Sequence, residues 1–277
     1  MRSATKSLTQ LCVYIIVVSG AVLMITPFLW MVSTAIKSEP QIFAWPPQWI
    51  PIPAHFDNFV KMWGVASFAN YFLNSWIVAG IGTIVVLFFG SLAGFAFAKY
   101  EFPARDIIFM ILLTTLMIPG QVTLIPVFLI VKTLGWLNSY PGLIVPGLAN
   151  VFALFLMRQF MQTIPNDLLD AARIDGCSEF RTYGQIILPL AKPIIATLGI
   201  FVFMGYWNDL FWPLIITSQD KMKTLQLGLS LLKTGYGTTR WNILMAGTTL
   251  GSVPIIIVFL FLQRFFIQGI ALTGLKE

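Results

Sequence analysis

Few side chains in this sequence could do covalent chemistry. His55 is the only histidine, and Cys12 and Cys177 are the only thiols. A metal centre or a Ser/His/Asp or Cys/His nucleophile needs a larger set of ligands or a positioned base. No Gly-x-x-x-x-Gly-Lys-Ser/Thr phosphate loop occurs, so ATP chemistry would have to come from another polypeptide. Two groupings could instead do non-covalent work. Trp207-Asn208-Asp209 sets an aromatic face, an amide and a carboxylate inside an apolar stretch. An aromatic face can stack on a sugar ring, and the two polar groups can hydrogen-bond hydroxyls. The same trio could be structural, with Trp207 as an interfacial anchor and Asp209 paired with a cation or capping backbone beside Pro213. The second grouping is segment 163–193, TIPNDLLDAARIDGCSEFRTYGQIILPLAKP, the stretch between apolar runs with the most charged residues.

The elements that position these groups follow from composition. The chain has 277 residues, 57% hydrophobic and 10% charged, with a mean hydropathy of +0.83. Soluble domains carry about 25% charged residues, so a soluble enzyme and a disordered chain are both excluded. The net charge of +6 lies between apolar runs, where it serves membrane topology and not nucleic-acid binding. Six stretches are predicted to span, near 11–36, 74–98, 106–131, 142–162, 194–217 and 242–263. Each is long enough for roughly 30 Å of hydrocarbon. The first is too long for the core of a signal peptide and is read as a retained helix. With the N-terminus inside, ten Lys and Arg fall on the inner side and seven on the outer. The expected division is residues 1–73 as first span and external loop, 74–267 as membrane core, and 268–277 as an inner tail. Pro119, Pro126, Pro146, Pro213 and Pro254 lie in or near spans, where each removes a backbone donor. They predict either a hinged, cavity-forming bundle or only the usual tolerance of membrane helices for proline. Gly90 and Gly94 predict close helix packing.

Segment 163–193 reads as two short helices. Asn166 is placed to cap the first, with Leu168, Ala171 and Ala172 as its small apolar stripe. Gly176 would end it in a left-handed conformation, and Ser178 would cap the second at Glu179. Leu188-Pro189 closes the loop. Such an element is either a solvated connector or a stiff docking surface.

The spacing Asp170-Ala171-Ala172, Gly176, Ile186, Leu188-Pro189 resembles the EAA coupling motif of bacterial ABC importer permeases, with Asp170 where glutamate is usual. Phe72-Leu73-Asn74-Ser75, Gly94-Phe95-Ala96-Phe97-Ala98-Lys99, Trp207-Asn208-Asp209 and the segment from Gln263 to Lys276 are similar to carbohydrate-importer permeases of the maltose type, second-subunit kind. The resemblance implies an all-α integral membrane protein of six transmembrane helices with the type I ABC importer permease (MetI-like) fold. It implies a non-catalytic permease in a bacterial cytoplasmic (inner) membrane, both termini cytoplasmic. The implied partners are a second permease subunit, two copies of an ATPase that binds ATP and magnesium, a solute-binding protein and a sugar. Asp170, Ala171, Ala172, Gly176, Leu188 and Pro189 would couple to the ATPase, and Trp207, Asn208 and Asp209 are candidates for the translocation path. No metal, cofactor or nucleic acid is expected on this chain. The alternative cargo is glycerol 3-phosphate or another small solute. A membrane enzyme or self-contained channel would leave the coupling motif without a purpose.

Overall fold

The computed structural model describes residues 2–65, 67–234 and 240–273, with side chains over 10–65, 67–233 and 240–265. Every regular element among them is helical. In order they are α1 (Arg2–Ala35), α2 (Glu39–Ile42), α3 (Asp57–Trp63), α4 (Phe68–Lys99), α5 (Arg105–Thr115), α6 (Gly120–Thr133), α7 (Tyr140–Ile144) and α8 (Val151–Gln162). Then follow α9 (Asp167–Ile174), α10 (Glu179–Thr182), α11 (Leu188–Leu190), α12 (Lys192–Trp207), α13 (Phe211–Ile216), α14 (Leu225–Thr234) and α15 (Trp241–Thr273).

Four segments are long and apolar enough to cross a membrane: Gln10–Ala35, Phe68–Lys99, Lys192–Ile216 and Trp241–Phe265. Two more are bent. α5 and α6 meet at 97°, and Tyr140–Gly147 meets α8 at 45°. Counting each bent pair as one span gives the six that the sequence predicts. Proline sets the bends, with Pro119 preceding α6 and Pro146 following α7. α15 runs to Thr273, past the predicted end at 263. The expected tail therefore starts as helix. Its side chains, and residues 274–277 entirely, lie outside the described residues.

The chain forms two compact units. The first comprises Met1–Phe68 and Leu229–Val253. In it α1 exposes nearly every side chain from Leu11 to Leu29. An apolar helix so bare is stable only in lipid or against another protein. Beyond α1 the chain folds back, and Asn58 Nδ2 donates to the carbonyls of Ala35 and Lys37, both at 2.9 Å. Lys37 is fully buried, with Nζ 3.7 Å from the Trp30 ring centroid. The cation–π contact compensates part of its desolvation, and burial lowers the Lys37 pKa. His55 and Lys61 both flank Asp57, so the histidine is part of a surface charge cluster.

The second unit comprises Ala69–Gly228 and Pro254–Glu277. Its core joins α4, α8, α9 and α12 through Val86, Phe95, Ala153, Met157, Leu169 and Leu198, among others. Gly90 and Gly94 form the close approach that their spacing predicts. A Cβ on Gly90 would lie 3.2 Å from Ala153 Cβ, and one on Gly94 only 2.5 Å from Met157 Cβ and 3.0 Å from the Arg158 amide nitrogen. At the other end of α4, Asn74 Nδ2 donates to the carbonyls of Lys221 and Lys223 at 2.8 and 2.9 Å. Asn74 Oδ1 accepts from the Tyr140 hydroxyl at 2.8 Å, and Ser75 Oγ accepts from the Leu225 amide at 2.8 Å. The Asn74-Ser75 pair thus ties down the connection from α13 to α14.

Gly94→Leu should destabilise the protein by about 1–3 kcal/mol or more, because the neighbouring backbone cannot yield. Gly90→Ala should cost less than Gly94→Leu. Thermal melting of both purified variants checks the order.

Candidate functional sites in loop 163–193 and at the bent spans

α9 is two-faced. Leu169 and Ala172 are 2% and 4% exposed and face the core, whereas Leu168 and Ala171 face outward. The predicted stripe of Leu168, Ala171 and Ala172 is therefore split. Adjacent helical positions are rotated by about 100°, so Ala171 and Ala172 cannot share a face. Asn166 does not cap α9 with its side chain. Its Oδ1 accepts instead from Lys99 Nζ at 2.8 Å, since an ammonium is the stronger donor. Gly176 takes the expected left-handed conformation, φ +75°. Its amide donates to Arg173 O at 3.0 Å and that of Cys177 to Ala172 O at 2.9 Å, closing the helix end. Ser178 Oγ caps α10 by accepting from the Arg181 amide at 3.4 Å. The chain then passes through a π-helical turn, Tyr183–Ile187, into α11. Leu188 packs half-buried against the core and Pro189 is exposed.

The loop is latched to the last turns of α4. Lys99 Nζ donates to Ile164 O at 2.5 Å as well as to Asn166, and Ser91 Oγ lies 2.7 Å from the Tyr183 hydroxyl. The Tyr100 hydroxyl donates to Glu179 Oε2 in a short hydrogen bond. Arg173 binds Glu179 Oε1 through Nε at 3.1 Å and Asp170 Oδ1 through Nη1 at 3.3 Å. Asp170, the motif's acid, thus has a partner within its own helix. Burial, then the Glu179 carboxylate, push the Tyr100 phenol up to about 12. The Tyr100 hydrogen bond, with help from Arg173, holds Glu179 below the ordinary carboxylate value.

The second arrangement is at the bends. Pro146 has no N–H, so the carbonyl of Gly142, four residues back, loses its helical donor. Trp212 Nε1 supplies one at 2.9 Å. Leu148 N bonds to Val145 O in a tighter turn, which frees the Ile144 carbonyl, and the Tyr206 hydroxyl donates to it at 3.1 Å. Two residues of the fifth span therefore complete the broken backbone of the fourth. Gly82 and Gly147 leave room for Tyr206, since a Cβ on Gly82 would lie 2.6 Å from its ring and one on Gly147 2.5 Å from its hydroxyl oxygen. The fifth span breaks too, between α12 and α13, where Asp209 Oδ1 accepts from the Trp212 amide at 3.3 Å.

A cavity of about 380 Å³ opens where the three bends meet, lined by Gln121, Thr123, Gly147, Tyr206, Asp209 and Trp212 among others. A second of about 380 Å³ shares Gly147, Tyr206 and Asp209 and adds Asn150. No Lys or Arg lines either. Of the predicted path residues only Asp209 faces these cavities. Trp207 has no exposed surface. It stacks on Phe203 at 5.5 Å and meets Phe72 and Trp76 edge-on, so it neither anchors an interface nor faces a path. Asn208 is exposed and its Oδ1 accepts from Gln226 Nε2 at 3.1 Å. Gln121, Asn150 and Tyr206 escape the sequence reading. The signal that could have found Tyr206 is a hydroxyl donor facing a proline-broken span.

Trp212→Phe keeps the ring but orphans the Gly142 carbonyl, at an expected cost of about 1–3 kcal/mol. Pro146→Ala restores an N–H four residues on. In that background Trp212→Phe should cost distinctly less, which a double-mutant cycle of thermal stability reads directly.

The latch should be insensitive to pH around neutrality. Glu179 is depressed in the fold, so its contribution is complete above the ordinary value of 4.5 and is lost as pH falls through the lower folded value. Tyr100 is raised, so its contribution is complete below 10.0 and is lost as pH rises through about 12. A spin label on Cys177 in a Cys12→Ser background should keep its mobility from about pH 6 to 9 and loosen at acid pH in wild type. Glu179→Gln should already be loosened at neutrality.

Residues 87–272 match the family model of the binding-protein-dependent transport system inner membrane component. The chain is 37% identical over 222 residues to the arabinooligosaccharides transport system permease protein AraQ of Bacillus subtilis, covering 80% of this chain and 79% of that one. It is 34% identical over 264 residues to the sn-glycerol-3-phosphate transport system permease protein UgpE of Yersinia pestis, covering 93% and 94%. A solved bacterial ABC transporter involved in import of the acidic polysaccharide alginate has a chain that superposes with a TM-score of 0.83 at 22% identity, covering 95% of this chain and 98% of that one. That likeness shows the fold. With its six spans, its loop 163–193 and its relatives over most of its length, the chain belongs to the family of binding-protein-dependent transport system inner membrane components and is a membrane-spanning transport permease.

Proposed function

We propose that the chain is one of two permease subunits of an ATP-driven importer whose cargo is a neutral sugar or oligosaccharide delivered by an extracytoplasmic solute-binding protein. Two copies of an ATPase subunit bind ATP and magnesium and dock on loop 163–193; this chain makes and breaks no bonds. The observation that carries the reading is the form of that loop. Ile174 and Phe180, on either side of Gly176, are 87% and 78% exposed on an element latched to α4. Covering a large apolar side chain is worth about 1.5–3 kcal/mol, and a stiff element that presents two is suited to insertion into a partner cleft. Leu168, Asp170, Ala171 and Gly176 complete the outward surface. Ala172 and Leu188 hold it from beneath, and Pro189 marks its return to the membrane. The ATPase shifts the permease between inward- and outward-facing states only through contacts that differ between them. The orientation is that of a bacterial cytoplasmic membrane with both termini inside, supported by the ten-to-seven distribution of cations.

Asp209, with Tyr206, Gln121 and Asn150, is the part of this subunit that meets cargo. AraQ's name supports a sugar cargo. UgpE's name suggests glycerol 3-phosphate, but an anionic cargo calls for cationic partners, and the cavities offer a carboxylate without one.

Co-expression with a candidate partner permease and ATPase, reconstitution in lipid, and screening of binding proteins with neutral sugars and glycerol 3-phosphate test the reading. Stimulated ATP hydrolysis should appear with a neutral sugar and fall on the order of tenfold in Phe180→Asp and Gly176→Asp. A chain that binds no ATPase, or moves solute without one, overturns it.

A further inference from the structure

We propose that the second unit carries a site for an anionic phospholipid, in the groove between α4, α12 and the Pro254–Phe265 part of α15. The groove has a volume of about 490 Å³. Its walls are Trp76, Gly80 and Leu87 of α4, Gly199 and Phe203 of α12, and Leu262 of α15, with Thr83 and further apolar residues. The charged group on its lining is Lys192, the first residue of α12, at the end of the span next to loop 163–193. Arg264 stands at the same end, its guanidinium 4.7 Å from the centroid of Phe265, which also lines the groove. No acidic residue lines it.

Three features point to a lipid. The first is length. Trp76 to Leu87 on α4 and Lys192 to Phe203 on α12 each cover eleven helical rises, roughly 16 Å. That is about half the roughly 30 Å hydrocarbon core, the depth of one acyl chain in one leaflet. The second is polarity, with an apolar trough that ends at Lys192, where a headgroup phosphate would lie, and has the exposed Arg264 beside its rim at Phe265. Basic pockets between spans are the usual seat of anionic headgroups. The third is room. A Cβ on Gly80 would meet nothing within 4 Å, and one on Gly199 only ordinary contacts with Leu262 and Leu87 at 3.5 and 3.6 Å. Gly80 and Gly199 thus leave space in the wall of the groove.

The assembled importer in nanodiscs decides the matter, with photoreactive phosphatidylglycerol and phosphatidylcholine probes of the same acyl length and labelled peptides identified by mass spectrometry. Phosphatidylglycerol should label the α4 and α12 peptides at least threefold more than phosphatidylcholine. The Lys192→Gln, Arg264→Gln double variant should remove that preference while phosphatidylcholine labelling stays the same. Gly80→Leu puts a side chain into the trough at a position where a Cβ meets nothing within 4 Å, and should reduce labelling by both probes. Equal labelling by both probes in the wild type overturns the proposal. So does absence of label from either, which would mean that a helix of the partner permease covers the groove. The readout does not depend on which solute is carried, so a wrong cargo assignment leaves it intact.

Discussion

A carbonyl without a donor is the constraint from which this structure can be reasoned. Water is absent from the hydrocarbon core, and each unpaired backbone group there costs several kcal/mol. Pro146 creates such a group at Gly142, and the break that follows it frees Ile144. Trp212 and Tyr206 answer both, which fixes the fifth span against the fourth at one rotation and one height. Gly82 and Gly147 are then required, because the Tyr206 ring occupies the space where their side chains would be. The cavity at Asp209 follows from the same geometry, since bent helices cannot stay in contact along their whole lengths. Irregular backbone and an accessible cavity with a carboxylate on its wall are two aspects of one arrangement.

The loop is governed by a different balance. It lies outside the apolar spans, so charge-assisted hydrogen bonds can form there with their groups only partly buried. Lys99, Tyr100 and Glu179 use them to fasten short helices that would be marginal alone. The apolar residues of the loop divide by rotation. Leu169 and Ala172 hold it from within, while Ile174 and Phe180 remain bare. An element that is tightly held on one side and incompletely buried on the other has the form of a contact surface awaiting a partner.

How much of this was legible in the sequence varies with the range of the interactions. The spans were, because apolar runs are local and long. So was the left-handed Gly176, because helix ends are set by one or two residues. The close packing of Gly90 and Gly94 was legible as a spacing but not as a partner, since nothing in the glycines names Ala153 or Met157. Asn166 was misread because its competitor, Lys99, is 67 positions away. Trp207 stayed open between a path and a structural role because its burial depends on Phe72, Trp76 and Phe203, of which Phe72 and Trp76 are distant in sequence. Tyr206 and Gln121 could not be found from local pattern at all, because their setting exists only where three separate bends converge.

α4 differs from the other long spans in carrying no proline, over 32 residues. Its two ends are both fastened, to loop 163–193 through Lys99 and Tyr100 and to the connection beyond α13 through Asn74 and Ser75. From Asn74 to Lys99 is roughly 37 Å of continuous helix. Such a member behaves as a stiff rod among jointed ones. A displacement applied at one end arrives at the other almost undiminished, while the bent spans beside it absorb the change in shape.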